Sequence, residues 1–176
     1  MRPISIASLQ EVIKNLEYIE NNDINLISIR DYDHSPFYTM IDNGDVKNLL
    51  VIQFDDLVED LPKEYQRQEK PPSESDIVKI LEWAKLKMAE NDKPFIVHCS
   101  AGVSRSSAVA ILVNYLQDPE HALKVINPLL HSPNEKVLEL GEKILGTNTI
   151  KQPTKDLLKK HDDAWMKSWD NVRRKE

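Results

Sequence analysis

Cys99 and Arg105 stand six positions apart in the run His98-Cys99-Ser100-Ala101-Gly102-Val103-Ser104-Arg105-Ser106. A thiolate is a strong nucleophile, and a guanidinium offers a planar fork that can hold two oxygens of one phosphoryl group. Before the run, Pro94-Phe95-Ile96-Val97 reads as a buried parallel strand. After it, residues 107–116 are apolar all round, as a central buried helix should be. The spacing therefore predicts a strand–loop–helix turn with the Cys–Arg pair in the loop. The first N–H groups of a helix lack intrahelical partners, and its peptide dipoles leave partial positive charge there. An oxyanion or a thiolate at that end is stabilised. Gly102 and the small Ser100, Ala101 and Ser104 let the backbone curl, so that the N–H groups from Ser100 through Val103 to Arg105 can point inward. The Ser106 hydroxyl is placed to hydrogen-bond the sulfur, steadying it and easing its later departure. His98 is expected to brace the loop through a backbone hydrogen bond rather than to act as a base.

The pattern His-Cys, two residues, Gly, two residues, Arg, Ser resembles the signature of the cysteine-dependent protein tyrosine and dual-specificity phosphatases. Rhodanese-like sulfurtransferases and arsenate reductases also carry such Cys–Arg pairs, but the leading His, the Gly and the trailing Ser point away from them. Reading Cys99 as a small core residue would leave Arg105 unexplained at the start of a buried helix. The resemblance spans roughly residues 24–146. It implies an α/β fold of three layers, with a mostly parallel central sheet flanked by helices. It also implies phosphate-monoester hydrolysis in two steps through a cysteinyl phosphate on Cys99, with no metal or other cofactor.

In that family the general acid is an Asp on a loop after a strand upstream of the Cys motif. Asp55 and Asp56 both fit by context. Phe54-Asp55-Asp56-Leu57 resembles the Phe-Asn-Asp-Ile segment of a group of small bacterial tyrosine-phosphatase-like proteins, which favours Asp56; Asp60 is a lesser candidate. The resemblance also frames the substrate. Lipid-acting relatives often carry lysines inside the loop, and Ser100 to Ser104 has none. A phosphorylated protein, phosphotyrosine in particular, is the expected substrate. A phosphoinositide, an RNA 5′-phosphate, or a phosphopeptide bound without turnover are the alternatives.

The elements that must position these residues are legible in outline. Residues 8–20 read as one helix, opened by capping-box spacing between Ser8 and Glu11. Residues 24–29 read as a strand, followed by a polar loop from which Arg30, Tyr32 and His34 could line a pocket; each fits a solvated loop as well. Residues 49–54 read as the next strand. Glu59 to Ser75 looks like a proline-bearing loop insertion, and Ser73 opens the helix that precedes the catalytic strand. Asp118-Pro119 reads as N-cap and first position of a helix, and Ser132-Pro133-Asn134-Glu135 as a capping box with Pro at the first position, the second helix running over 136–145 to Gly146. A connector is expected at 147–153 and a terminal amphipathic helix over 154–174, with Leu158, Trp165, Trp169 and Val172 on one face. The expected division is a catalytic domain over 1–150 and a C-terminal helix over 151–176, docked on that domain.

Composition bounds the rest. A chain of 176 residues, 40% hydrophobic, can bury the core of one domain. No apolar run is long enough to span a bilayer, and the N-terminus lacks a signal-like segment, so a cytoplasmic protein is expected. Cys99 is the single cysteine, which excludes an intrachain disulfide and a cysteine-rich zinc site. The net charge of −6 argues against bulk attraction to nucleic acid or anionic membrane.

Overall fold

The computed structural model describes residues 1–31, 36–59 and 69–173. Tyr32, His34 and Asp60 lie outside the described residues, as do the side chains of Trp165, Trp169 and Val172.

Among the described residues, four strands form one wholly parallel sheet in the order β1-β4-β2-β3. They are β1 (Ile4–Ser8), β2 (Asn25–Arg30), β3 (Leu49–Gln53) and β4 (Phe95–Cys99). The helices are α1 (Leu9–Lys14), α2 (Leu16–Asn21), α3 (Tyr38–Asp42), α4 (Glu74–Glu90), α5 (Arg105–Gln117), α6 (Glu135–Leu145) and α7 (Lys151–Arg173), with a 3₁₀ segment over Pro119–Val125. Successive side chains on a strand point to opposite faces. On β2, Ile27 and Ile29 join α4, α5 and α6 in the larger core, while Leu26 turns to the smaller core of α1, α2 and α3. The result is the expected three-layer α/β fold.

β4 sits between β1 and β2, so the strand that ends in Cys99 is supported on both edges. Its alternation sends Phe95, Val97 and Cys99 toward α5, and His98 toward Tyr38 on the other face. α5 is buried continuously from Arg105 to Asn114, which explains its all-round apolar sequence. α4 opens on the Ser73 capping box, and α6 opens on Asn134 rather than on the expected Ser132, because the Asn134 side chain accepts from the Val137 N–H and leaves Ser132 and Pro133 outside the helix.

Three local readings are corrected. β1 is absent from the expected elements; Ile4-Ser5-Ile6-Ala7-Ser8 is too short for its pattern to stand out, and its pairing with β4 makes it a strand. The helix expected over 8–20 is two helices. At Asn15 the backbone leaves the helical region (φ −112°, ψ 18°), and the Asn15 amide donates to the Glu11 carbonyl at 2.8 Å. An Asn side chain that bonds its own backbone competes with the helical ladder. The terminal helix begins at Lys151 rather than at 154. Thr154 is buried, its hydroxyl donating to the Ile150 carbonyl, and Leu157 packs on the main core. Lys151 pairs with Glu139 and Lys155 with Glu135, each at 2.7 Å, which ties the first turns of α7 to α6.

Candidate active site

The Cys99 sulfur lies at the foot of α5, almost wholly buried. The Gly102 N–H donates to it at 3.3 Å, and the Ser106 hydroxyl lies 3.2 Å from it. The loop is seated on the first strand and helix of the chain. Gly102 has φ +75°, and a Cβ there would stand 2.7 Å from the Ala7 carbonyl carbon and from the Ser8 nitrogen. Only glycine fits that backbone and that gap. The Leu9 N–H donates to the Ser100 carbonyl at 3.2 Å, which fastens the loop to the start of α1.

Arg105 is buried beside this loop. Its Nη1 donates to the Phe54 carbonyl at 2.9 Å, and its Nη2 pairs with Asp31 Oδ1 at 2.7 Å. Its Nε is buried and has no hydrogen-bond partner among the described residues. A guanidinium nitrogen left unsatisfied is costly unless something comes to meet it.

Asp31 also accepts from the Ser100 hydroxyl, and that hydroxyl lies 3.2 Å from the Tyr38 hydroxyl. Burial raises the Tyr38 phenol above its ordinary range, so it stays protonated. Arg30 does not reach the loop. Its guanidinium makes two hydrogen bonds to Asp42, at 2.8 and 2.5 Å, and lies 4.8 Å from the centre of the Tyr38 ring. It holds α3 to β2 and serves the pocket only through Tyr38.

The two neighbouring aspartates part company. Asp56, on the loop after β3, lies against the Cys loop: its Oδ1 accepts from the Ser104 hydroxyl and from the Asn134 amide, both at 2.7 Å. Asp55 instead accepts from the Lys70 N–H at 2.6 Å. His98 is fully buried. Burial, with Arg30 and Arg105 adding to it, pushes the imidazole down to about 4. It is therefore neutral at physiological pH. Its Nδ1 lies 3.4 Å from the Cys99 carbonyl, and its Nε2 has no partner among the described residues.

Asp31, Tyr38 and Asn134 are additions to the expected site. In the sequence Asn134 is visible only as part of a helix start, and Asp31 only as a loop acid after a strand. Beside Ser100 opens a groove of about 480 Å³ lined by Leu9, Ile13, Phe37 and Met40, with Gln10 and Lys14 at its edge.

Against known proteins, the sequence model of the protein-tyrosine phosphatase family matches residues 62–131, the stretch that contains the Cys loop. Among solved structures, the chain is similar to Cydia pomonella PTP-2 phosphatase, with TM-score 0.58 and 19% identity over 81% of this chain and 86% of that one. It is similar to human DUSP28, with TM-score 0.54 and 12% identity over 80% and 89%. It is similar also to PTPMT1 solved in complex with PI(5)P, with TM-score 0.52 and 15% identity over 81% and 92%. No curated protein matches it in sequence. The family resemblance carried by the Cys loop is borne out, and so is the fold.

Proposed function

We propose, from the premise that this chain carries a domain of the protein-tyrosine phosphatase family, that it hydrolyses phosphoprotein monoesters, phosphotyrosine foremost, through a phosphorylated cysteine. The observation that carries the reading is the Cys99 sulfur, held by Gly102 and Ser106 at the foot of α5, beside a buried Arg105 whose Nη2 lies 3.5 Å from the Ser100 hydroxyl of the same loop. In the first step the sulfur lone pair forms an S–P bond as the bond between phosphorus and the leaving oxygen breaks. The electron pair of that bond goes to the leaving oxygen, which takes a proton from Asp56. Arg105 and the loop N–H groups hold the charge on the three non-bridging oxygens throughout. In the second step Asp56, now ionised, accepts a proton from water. The water oxygen bonds phosphorus, the S–P bond breaks, and its electron pair returns to Cys99. The Ser106 hydroxyl supports that departure.

Two features favour a phosphoprotein. The Cys loop brings no lysine of its own, and Asp31 offsets part of the charge on Arg105, so a single phosphate suits the site better than a polyphosphorylated headgroup. The groove beside Ser100 offers apolar surface to the side chains that flank a phosphorylated residue. The lone thiol suits a reducing compartment such as the cytoplasm.

Comparing hydrolysis of phosphotyrosine peptides, phosphoserine peptides and phosphoinositides, with Cys99→Ser and Arg105→Lys as controls, tests the proposal. Phosphotyrosine should be preferred. Cys99→Ser should bind phosphopeptide without turning it over, and Arg105→Lys should be severely impaired because an ammonium lacks the two-pronged contact. Turnover retained in Cys99→Ser would rule out the covalent route. Binding by the parent chain with no hydrolysis would make it a phosphopeptide reader.

A further inference from the structure

Asn134 is buried and makes four contacts that join separate parts of the site. Its Oδ1 accepts from the Val137 N–H at 3.0 Å, which caps α6. Its Nδ2 donates to Asp56 Oδ1 at 2.7 Å and to the Leu57 carbonyl at 3.2 Å. Its backbone N–H donates to the Ser104 carbonyl at 3.2 Å. Capping alone would need only the Oδ1 contact. The amide end, which capping leaves free, is spent on the loop that carries Asp56.

The Ser104 hydroxyl donates to the same Asp56 oxygen, at 2.7 Å. Both donors therefore converge on Oδ1. An oxygen that accepts two such bonds is a poor place for a proton. We propose that Asn134 is the positioning residue of the general acid: with Ser104 it fixes Asp56 Oδ1 as an acceptor, so that Oδ2 carries the proton passed to the leaving group. Asn134 and Ser104 are also bonded to each other through the backbone, so the acid is held in register with the phosphate loop rather than only through its own connection to β3.

This inference rests on Asp56 being the general acid, and its test separates the two. Asn134→Asp keeps an N-cap of equal quality but replaces the amide donor with a second carboxylate facing Asp56. Ser104→Ala removes the other donor without touching α6. Both variants, with Asp56→Asn beside them, are assayed on a phosphotyrosine peptide and on an aryl phosphate whose phenolate leaves unaided. Asn134→Asp should lower kcat on the peptide by about 10–10²-fold, with KM little changed, and the loss should shrink on the activated ester. Ser104→Ala should show the same dependence at smaller amplitude. Neither should add to the loss in an Asp56→Asn background, because all three act through one proton transfer. An equal loss on both substrates, an additive loss with Asp56→Asn, or no loss would overturn the role given to Asn134. Should Asp56→Asn itself show no dependence on the leaving group, the acid assignment falls and this inference with it. If only the Asn134 and Ser104 variants lack that dependence, Asp56 keeps its role and Asn134 is reduced to a cap.

Discussion

At the scale of the residue, a buried imidazole stands directly before the nucleophile. His98 has an ordinary pKa of 6.5 in the unfolded chain and about 4 in the fold, chiefly because burial penalises its charged form. Between those values the unfolded chain binds a proton that the folded chain refuses. Stability therefore falls as pH drops from about 6.5 toward 4, by at most about 3 kcal/mol from this group. Thermal melting of the parent and of His98→Gln across that range checks this. The variant's melting temperature should fall less steeply with acid, and parallel slopes would show that His98 does not titrate as described. Single residues are legible in the sequence where their chemistry is local. Cys99, Arg105 and Ser106 are fixed to one another by chain spacing, so their arrangement can be read directly. Asp31 and Asn134 reach the same loop through space from β2 and α6, and no spacing rule points to them.

At the scale of the element, two glycines share a conformation but not a neighbourhood. Gly102 (φ +75°) is pressed against the Ala7–Ser8 backbone, whereas Gly146 (φ +67°) ends α6 in open space, with no described atom within 4 Å of where a Cβ would stand. Gly146→Ala should cost about 1–2 kcal/mol of stability, the penalty of a left-handed alanine, and leave turnover intact. Gly102→Ala meets that penalty and a backbone collision as well, so the loop must shift. Turnover should fall by about 10²-fold or more, because a displacement of an ångström in a catalytic loop has that effect. Steady-state kinetics set beside melting curves for both variants distinguish the cases; an active Gly102→Ala would mean that the loop tolerates the shift. Elements marked by their own residues are readable: the capping box at Ser8, the helix start at Ser73, the Asp118 cap and the Gly146 stop stand where the sequence puts them, and the cap of α6 lies two residues on, at Asn134 rather than Ser132. Those settled by competition are not. The break at Asn15 depends on which partner an amide selects, and the 3₁₀ rather than α form of Pro119–Val125 follows a kink at His121.

At the scale of the whole molecule, a parallel sheet with one strand order explains why fold class is legible and topology less so. Apolar runs separated by helices announce layers, but β1 is recognisable only once β4 lies beside it. That same adjacency governs how the proposed active site takes shape. The Cys loop belongs to the second half of the chain, yet its floor is Ala7, Ser8 and Leu9. Parallel pairings between distant segments form late, because the chain between them loses its freedom before the contacts compensate. The catalytic loop thus has no local route to its working shape. Helix content measured by circular dichroism after dilution from denaturant should return ahead of the proposed hydrolytic activity, and that activity should return together with the fluorescence of Trp83, read in a W165F/W169F background, because Trp83 packs edge-on against Phe95 of β4. Recovery of activity before that packing would mean that the loop forms on its own. In a chain growing from its N-terminus, the residues of the floor are synthesised long before the loop, yet they wait for β4 to give them their strand, so floor and loop take shape in one event.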